Sequence, residues 1–456
     1  MSTKPPTPRI VVAGGGVAAV EAVLALRALA GRLPAITLLT ADADFTTPAT
    51  SVATPFGFGP PATLPLGPLA ARHAVTLKLG RLAGVDTTRR QALVTDDDPL
   101  PYDHLLVAVG ARRREAVRGA LTFRGPGDAA AVEALLDDIV AGRARRLVVA
   151  VPSAGTWPLP AYELAMMAAV ELRSRGVATP DVGLATPERL PLEVFGRRAA
   201  DAVAEMLRAR GIALYTASTP VELRGGELRM SQGPAIAADR VIALAESAGP
   251  ALPGLPHDDG GFIPVDAYGR VRGCDDVYAA GDVTTFPLRQ GGLAAQQADA
   301  AAETIAARLE AIARPQPFRP VLRGVLLTGG APLYLRAEIG TGAAPLARPL
   351  AGAGSAGPRS LWWPPAKVAG RYLAPLLATA RPIPLLAAPM HDLADTPPGE
   401  ADDREALALA LALADEDARC GDYRQALQAL DAARAVAGGV LPEAYAEKER
   451  DWLSRA

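Results

Sequence analysis

The residues best placed to do chemistry in this chain are glycines rather than acids or nucleophiles. Gly14, Gly15 and Gly16 follow the apolar, β-branched run Ile10-Val11-Val12 and precede Val17 to Arg27, which carry a helical apolar pattern. Gly14, Gly16 and Ala19 match G-x-G-x-x-G/A. The first glycine permits a tight turn, the second lets the backbone approach a pyrophosphate, and the small third residue lets the helix pack on its strand. Free N–H groups at the positive end of that helix receive phosphates well. Glu21 completes the longer pattern GxGxxGxExA. A strand before the turn and a helix after it point to a nucleotide site rather than a simple glycine bend.

Two further segments end apolar strands in glycine. Tyr102 to Ala111, YDHLLVAVGA, reads as a buried strand ending in Gly110, and Asp275 to Pro287, DDVYAAGDVTTFP, as another ending in Gly281-Asp282. Taken alone, Asp282 reads equally well as a strand-end or helix-capping carboxylate. The three segments together resemble the two-dinucleotide-binding-domain flavoproteins, the FAD-dependent pyridine nucleotide-disulfide oxidoreductase superfamily. That resemblance implies FAD, with the Asp282 carboxylate on its ribityl chain. It implies as cofactor surroundings Gly14, Gly16, Val17, Ala18, Thr40, Ala41, Pro48, Leu82, Ala108, Val109, Gly110, Arg112, Gly281, Asp282, Gln290 and Gly291. Covalent relatives attach the flavin to an early cysteine, and none precedes Cys274 here. Non-covalent FAD is therefore expected.

Composition agrees with a large soluble-type fold. The chain has 456 residues, 50% hydrophobic and 21% charged, enough for two or three domains. Its net charge of −2 offers no basic field for nucleic acid. MSTKPPTPR has no apolar core, so no secretory signal is read there. No apolar run approaches the ~20 residues of a membrane span. A cytoplasmic location is the expectation. Cys274 and Cys420 form no C-x-x-C, and His73, His104, His257 and His391 show no ligand spacing, so no metal site is read. His104, inside an apolar strand, reads as structural, and the cysteines as inert semi-buried thiols.

The elements that must position these residues give an α/β fold class. The resemblance implies two Rossmann-like dinucleotide-binding domains in a glutathione reductase-like arrangement, a C-terminal interface domain and a helical-hairpin tail. The boundaries read as 8–112 and 241–315 for the two parts of the FAD domain, and 113–240 for the inserted NAD-binding-like domain. An interface domain follows over 316–395 and a tail over 396–456. Pro317 to Ile339 alternates like a strand, and Gly342 to Gly357 reads as a flexible loop.

The inserted domain departs from the usual chemistry. In NADH-using relatives its first strand leads into another GxGxxGxE. Here RRLVVAVP leads into SAGTWPLPAYELAMMAAVEL. Aligned on Glu163, the glycine positions hold Thr156, Pro158 and Ala161, and a proline offers no N–H to a phosphate. The fold is expected to persist and the nicotinamide site is not. Glu188, after the next strand, imitates a ribose-binding acid but reads as a surface carboxylate.

In this respect the chain is similar to sulfide:quinone oxidoreductases and flavocytochrome c sulfide dehydrogenase flavoprotein subunits, and beyond them to type II NADH dehydrogenases. It lacks their cysteine pair or nicotinamide glycines. The likeness covers roughly residues 8 to 380. It implies that the helix within Arg289 to Leu309 begins under the flavin at Gln290 and Gly291, its dipole stabilising negative charge there. Gln296 and Gln297 match a pair near the quinone site of type II NADH dehydrogenases, or are helix-surface amides.

Ser360 to Ala378 raises a membrane reading. Trp362, Trp363, Tyr372, Leu373, Leu376 and Leu377 form an apolar set with Lys367 and Arg371 at the headgroups; a buried edge or a dimer contact explains the same residues. After Pro397-Pro398, a helical tail resembles one tetratricopeptide unit through Gly421, Asp422, Tyr423, Ala426, Leu430 and Ala433, with Pro442 near its end. One such unit stacks rather than standing alone. The tail is thus expected on the body, on a second copy in a homodimer, or on a protein partner. The resemblance as a whole implies an FAD-dependent oxidoreductase passing electrons from a small-molecule donor to a quinone-like acceptor. A silent FAD-binding scaffold and an NAD(P)H dehydrogenase with an atypical site are the alternatives.

Overall fold

The computed structural model describes residues 7–340, 349–360, 366–368, 370–380 and 441–455, together with Trp362 and single positions between 411 and 434. The chain opens with β1 (Arg9–Ala13), α1 (Val17–Ala30), β2 (Ala35–Thr40), β3 (Thr76–Leu79) and β4 (His104–Val107). A second unit follows: β5 (Leu121–Phe123), α2 (Ala129–Val140), β6 (Arg146–Ala150), α3 (Leu159–Ser174), β7 (Asp181–Ala185), α4 (Arg197–Ala209), β8 (Ala213–Tyr215) and β9 (Arg240–Leu244). The chain then adds β10 (Val277–Ala279) and α5 (Gly291–Arg308) to the first unit, and continues into β11 (Val321–Leu326), β12 (Leu333–Ile339) and β13 (Pro349–Gly357). Last come α6 (Leu373–Ala380) and α7 (Glu443–Arg455).

Two five-stranded sheets carry the fold. The first has the order β10-β4-β1-β2-β3 and the second β5-β9-β6-β7-β8, with every pairing parallel. Parallel strands are covered on both faces and read as unbroken apolar runs. Ile10, Val12 and Leu106 face one core, and Val11, Leu105 and Val107 the other. The register puts Val12 opposite Leu38 on one side and Leu106 on the other. Ala18, Ala22 and Ala25 of α1 share a core with Ala295, Ala298 and Ala302 of α5. Such small faces let two helices approach closely, and so fix the two strand–helix turns relative to one another.

β11, β12 and β13 make an antiparallel sheet, as the alternation in Pro317 to Ile339 leads one to expect for its first two strands. The expected loop over Gly342 to Gly357 is corrected: Pro349–Gly357 is a strand, and only 341–348 fall outside the described residues. Gly354 serves close approach, since a Cβ there would stand 2.1 Å from the Phe195 carbonyl oxygen.

The C-terminal segment is held inward. Both oxygens of Glu21 in α1 accept backbone N–H bonds at 2.7 Å, from Tyr372 and Leu373. Leu373 is buried, Leu376 and Leu377 pack against the same core, and Trp362 meets Tyr334 edge-on at 5.7 Å. Lys367 is buried too, so the expected stripe with Lys367 at the headgroups is not what forms; Trp363 lies outside the described residues. No helix among the described residues is long and apolar enough to cross a membrane. In the tail, Ala414, Ala426, Leu430 and Trp452 form a core of their own, so α7 supplies the apolar face that a lone unit lacks. Cys420, Gly421 and Asp422 lie outside the described residues.

Candidate functional site

The C-terminal ends of β1, β4 and β10 and the first turns of α1 and α5 surround a cleft of about 1100 Å³. Every residue expected about the cofactor lines it except Pro48, whose side chain is outside the described set. Gly14 accounts for the sharpest constraint. It has φ +136°, donates its N–H to the Leu39 carbonyl at 2.8 Å, and a Cβ there would stand 2.2 Å from the Ala108 carbonyl oxygen. The first turn of α1 has neither a capping side chain nor an acid, so its amides open unmasked into the cleft.

Asp282 lines the same space with its side chain 24% exposed, and makes no hydrogen bond among the described residues. Burial pushes its carboxyl upward, against the pull of Arg113, at 4.0 Å, and Arg289. Behind it, Gln297 Oε1 accepts from the Gly281 N–H at 2.7 Å and the Thr284 hydroxyl at 3.2 Å, pinning the glycine–aspartate turn. Gln290 caps α5 by accepting from the Leu293 N–H at 2.9 Å and donates to the Arg323 carbonyl at 3.0 Å.

The two helix glutamines are corrected on both readings. Gln296 is neither a surface amide nor free for an acceptor: it donates to the carbonyls of Gly292 and Val321 and accepts from the Val321 N–H. Gln297 is equally committed. Neither lines the cleft. They are fasteners, which helix periodicity alone does not reveal.

The turn after β6 offers fewer backbone amides than a glycine turn would. Pro158 stands at the N-cap of α3 with Pro160 beside it, so two of the first amides are missing. The Ser153 and Thr156 hydroxyls pair with each other at 3.1 Å instead. Glu188 is not a surface carboxylate. It accepts from Tyr162 at 2.7 Å and Thr186 at 2.9 Å, and burial raises its pKa to about 7. Its Oε2 is thus held by Tyr162 and Thr186.

The same cleft is also lined by Trp157, Leu159, Pro160, Val325 and Val368 and by one buried ion pair. Glu163 of α3 and Lys367 pair directly, with side chains 0% and 5% exposed. Glu163 Oε1 also accepts from the Leu327 N–H at 2.9 Å, while Oε2 is buried without a partner. Burial drives the carboxyl up and the ammonium down; each partner pulls the other back. Sequence reasoning used Glu163 only as an alignment anchor and put Lys367 at a membrane. The available signal was scarcity: Lys367 is one of four lysines in the chain, and Glu163 interrupts an apolar helix. His104, by contrast, lies in β4 at 4.0 Å from Asp276, away from the cleft lining. Cys274 is half-buried, and no metal-binding cluster occurs among the described residues.

The sequence profile described as Pyridine nucleotide-disulphide oxidoreductase matches residues 8–304, and the chain belongs to that family. It is an FAD-dependent oxidoreductase, with FAD as its cofactor. A curated relative, the ferredoxin–NAD(+) reductase component of the biphenyl dioxygenase system of Paraburkholderia xenovorans, is 29% identical over 228 residues, 46% of this chain and 51% of that protein. The chain thus matches about half the length of that relative. Among solved structures, the sulfide:quinone oxidoreductase of Aquifex aeolicus superposes with a TM-score of 0.68 at 17% identity, covering 77% of this chain and 86% of that one. A ferredoxin reductase from Rhodopseudomonas palustris gives 0.56 at 19% identity, covering 73% and 83%. These two likenesses establish the fold.

Proposed function

We propose that FAD lies along the cleft, with its pyrophosphate on the first turn of α1 at Gly14 and Gly16. Asp282 receives the ribityl hydroxyls, and the flavin's pyrimidine end meets the start of α5 at Gln290 and Gly291. On this reading residues 8–112 and 241–315 form the FAD-binding domain and 113–240 the second dinucleotide-type domain. Residues 316–395 close the cleft as an interface domain, and 396–456 are an accessory helical tail. A cradle of backbone turned by glycine, an uncapped helix start and a carboxylate with no hydrogen bond among the described residues suit a dinucleotide with a polyhydroxyl linker. FAD supplies the electron chemistry when bound; the protein supplies binding, orientation and electrostatics.

The acceptor proposed is an apolar, quinone-like molecule seated against Trp157, Val325 and Val368. The observation that carries this reading is the buried Glu163–Lys367 pair, which lines the cleft together with Trp157, Leu159, Pro160, Val325 and Val368, since pockets for small molecules are mostly apolar with a few placed polar groups. Reducing a quinone takes two electrons and two protons. Both electrons and one proton would come with reduced FAD; the Lys367 Nζ can hold the other proton at the carbonyl oxygen of the acceptor, and Glu163 Oε1 keeps the ammonium charged until it is needed. With Pro158 at the turn and Glu188 turned inward, NADH is not the donor.

A small protein carrier is the second reading, favoured by the exposed arginines Arg112, Arg113 and Arg114 on one ribbon at the cleft. The relatives named as ferredoxin reductases are consistent with it. One experiment separates the two. The FAD-loaded protein is reduced with dithionite under argon and mixed with a short-chain ubiquinone analogue. Fast reoxidation, slowed at least tenfold by Lys367→Met, supports the quinone reading. Reoxidation no faster than that of free reduced FAD defeats it, and salt-sensitive reoxidation by an acidic iron–sulfur protein then favours the carrier.

A further inference from the structure

Arg289 immediately precedes the Gln290 cap of α5 and lines the cleft beside Asp282. Its guanidinium carbon lies 3.7 Å from the centre of the Phe262 ring. That contact holds the guanidinium against the ring without using any of its five N–H donors. Its Nε is buried with no hydrogen-bond partner, and Nη1 makes only a 3.5 Å contact to the Pro287 carbonyl. Two carboxylates attract it, Asp282 and Asp258. Asp258 is exposed and turned to the Phe262 N–H at 2.8 Å, while Asp282 is shared with Arg113. A rigid cation with unspent donors therefore faces the cleft at the start of α5.

We propose that Arg289 sets the reduction potential of the bound FAD, by favouring the negative charge that two-electron reduction with uptake of one proton leaves on the flavin's pyrimidine end. The inference rests on the placement of FAD proposed above. Charge close to the flavin ring is one of the means by which a protein tunes this cofactor. Here the arginine directly precedes the cap of the helix start, and the two act with the same sign. A binding role and a tuning role differ in what they favour. Binding raises affinity for both redox states, whereas tuning favours the reduced state alone.

The test is an anaerobic, dye-coupled titration of FAD-loaded wild type, Arg289→Gln and Arg289→Lys. Each protein's FAD content is measured by chromatography after heat release. Arg289→Gln is expected to lower the preference for reduced over oxidised FAD at least tenfold, which is about 30 mV for a two-electron couple. Arg289→Lys should restore most of it, and FAD content should stay near that of wild type. An unchanged potential in Arg289→Gln overturns the proposal. So does loss of FAD from that variant with an unaltered potential in the fraction still loaded, which assigns Arg289 to the phosphates. A wild-type protein without FAD overturns the placement itself, an outcome recognisable before any variant is made.

Discussion

Removing the ammonium of Lys367 leaves Glu163 with its charge buried, one oxygen held only by the Leu327 N–H and the other by nothing. Breaking a fully buried pair on one side costs about 3–5 kcal/mol. Lys367→Met keeps the length and apolar stem of the side chain, so the loss is electrostatic rather than a cavity. At 2–4 °C per kcal/mol for a unit of 150–250 residues, a loss of about 3 kcal/mol lowers the calorimetric transition by roughly 6–12 °C. The double variant Glu163→Gln/Lys367→Met removes both charges while the glutamine oxygen still accepts from Leu327. It should return to within about 1 kcal/mol of wild type, because replacing both members of a buried pair is close to neutral. The pH dependence has a definite sign. In Lys367→Met the folded-state pKa of Glu163 stands further above its unfolded value, so the unfolded chain binds fewer protons between the two, and stability falls as pH rises. The deficit should be larger at pH 8 than at pH 5. A double variant as unstable as the single, or a single variant that melts with wild type, refutes the claim that this pair is a buried, mutually dependent charge couple.

Gly14→Ala places a Cβ 2.2 Å from the Ala108 carbonyl at φ +136°, so the purified protein should carry little FAD and melt below wild type; full FAD occupancy contradicts the cleft geometry. NADH at micromolar concentration should reduce the flavin slowly and without saturation in a stopped-flow mixer, because Pro158 removes a phosphate-binding amide; rapid saturable bleaching shows that another cradle exists. Glu188, with a folded-state pKa of about 7 against an unfolded value near 4.5, should make stability decline between those values as pH rises. Glu188→Gln should flatten that slope in melting curves taken across the range, and an unchanged slope assigns it to other groups.

The sequence signals that succeeded were local and backbone-based. A strand, three glycines and a helix define one turn whatever follows, and the same holds for the strand ending in Gly281-Asp282. Fifteen of the sixteen expected residues consequently meet in one cleft. What failed to show were roles decided by contacts between distant parts of the chain. Gln296 looks identical on paper whether it meets water or the Val321 backbone of a different sheet. Glu188 follows its strand where a ribose acid belongs, and only Tyr162, from the neighbouring helix, turns it inward. Lys367 sits in a stretch rich in tryptophan and leucine, a pattern that amphipathicity cannot distinguish from a buried strap. The alanine–glycine run ending at Gly357 has low strand propensity, and the contact that leaves room only for glycine at Gly354 comes from Phe195, far away in the chain.

The order of strands in the first sheet also governs how the chain is made. β4 lies between β1 and β10, yet the whole of the second sheet is encoded between β4 and β10. At about 5–20 residues per second on the ribosome, the edge of β4 stays unpaired for on the order of 10–30 seconds while the second sheet emerges and closes. That edge, His104–Val107, is wholly apolar beyond its first residue, the kind of exposed strand that recruits other chains. The nascent molecule is therefore most prone to aggregate while its second unit is folded and its first is not. With Asp282 in the proposed FAD site, loading is expected to be a late event that follows its exit from the ribosome. Expression yield should respond to slower synthesis and to chaperones that cover β-edges more than to the supply of flavin during translation.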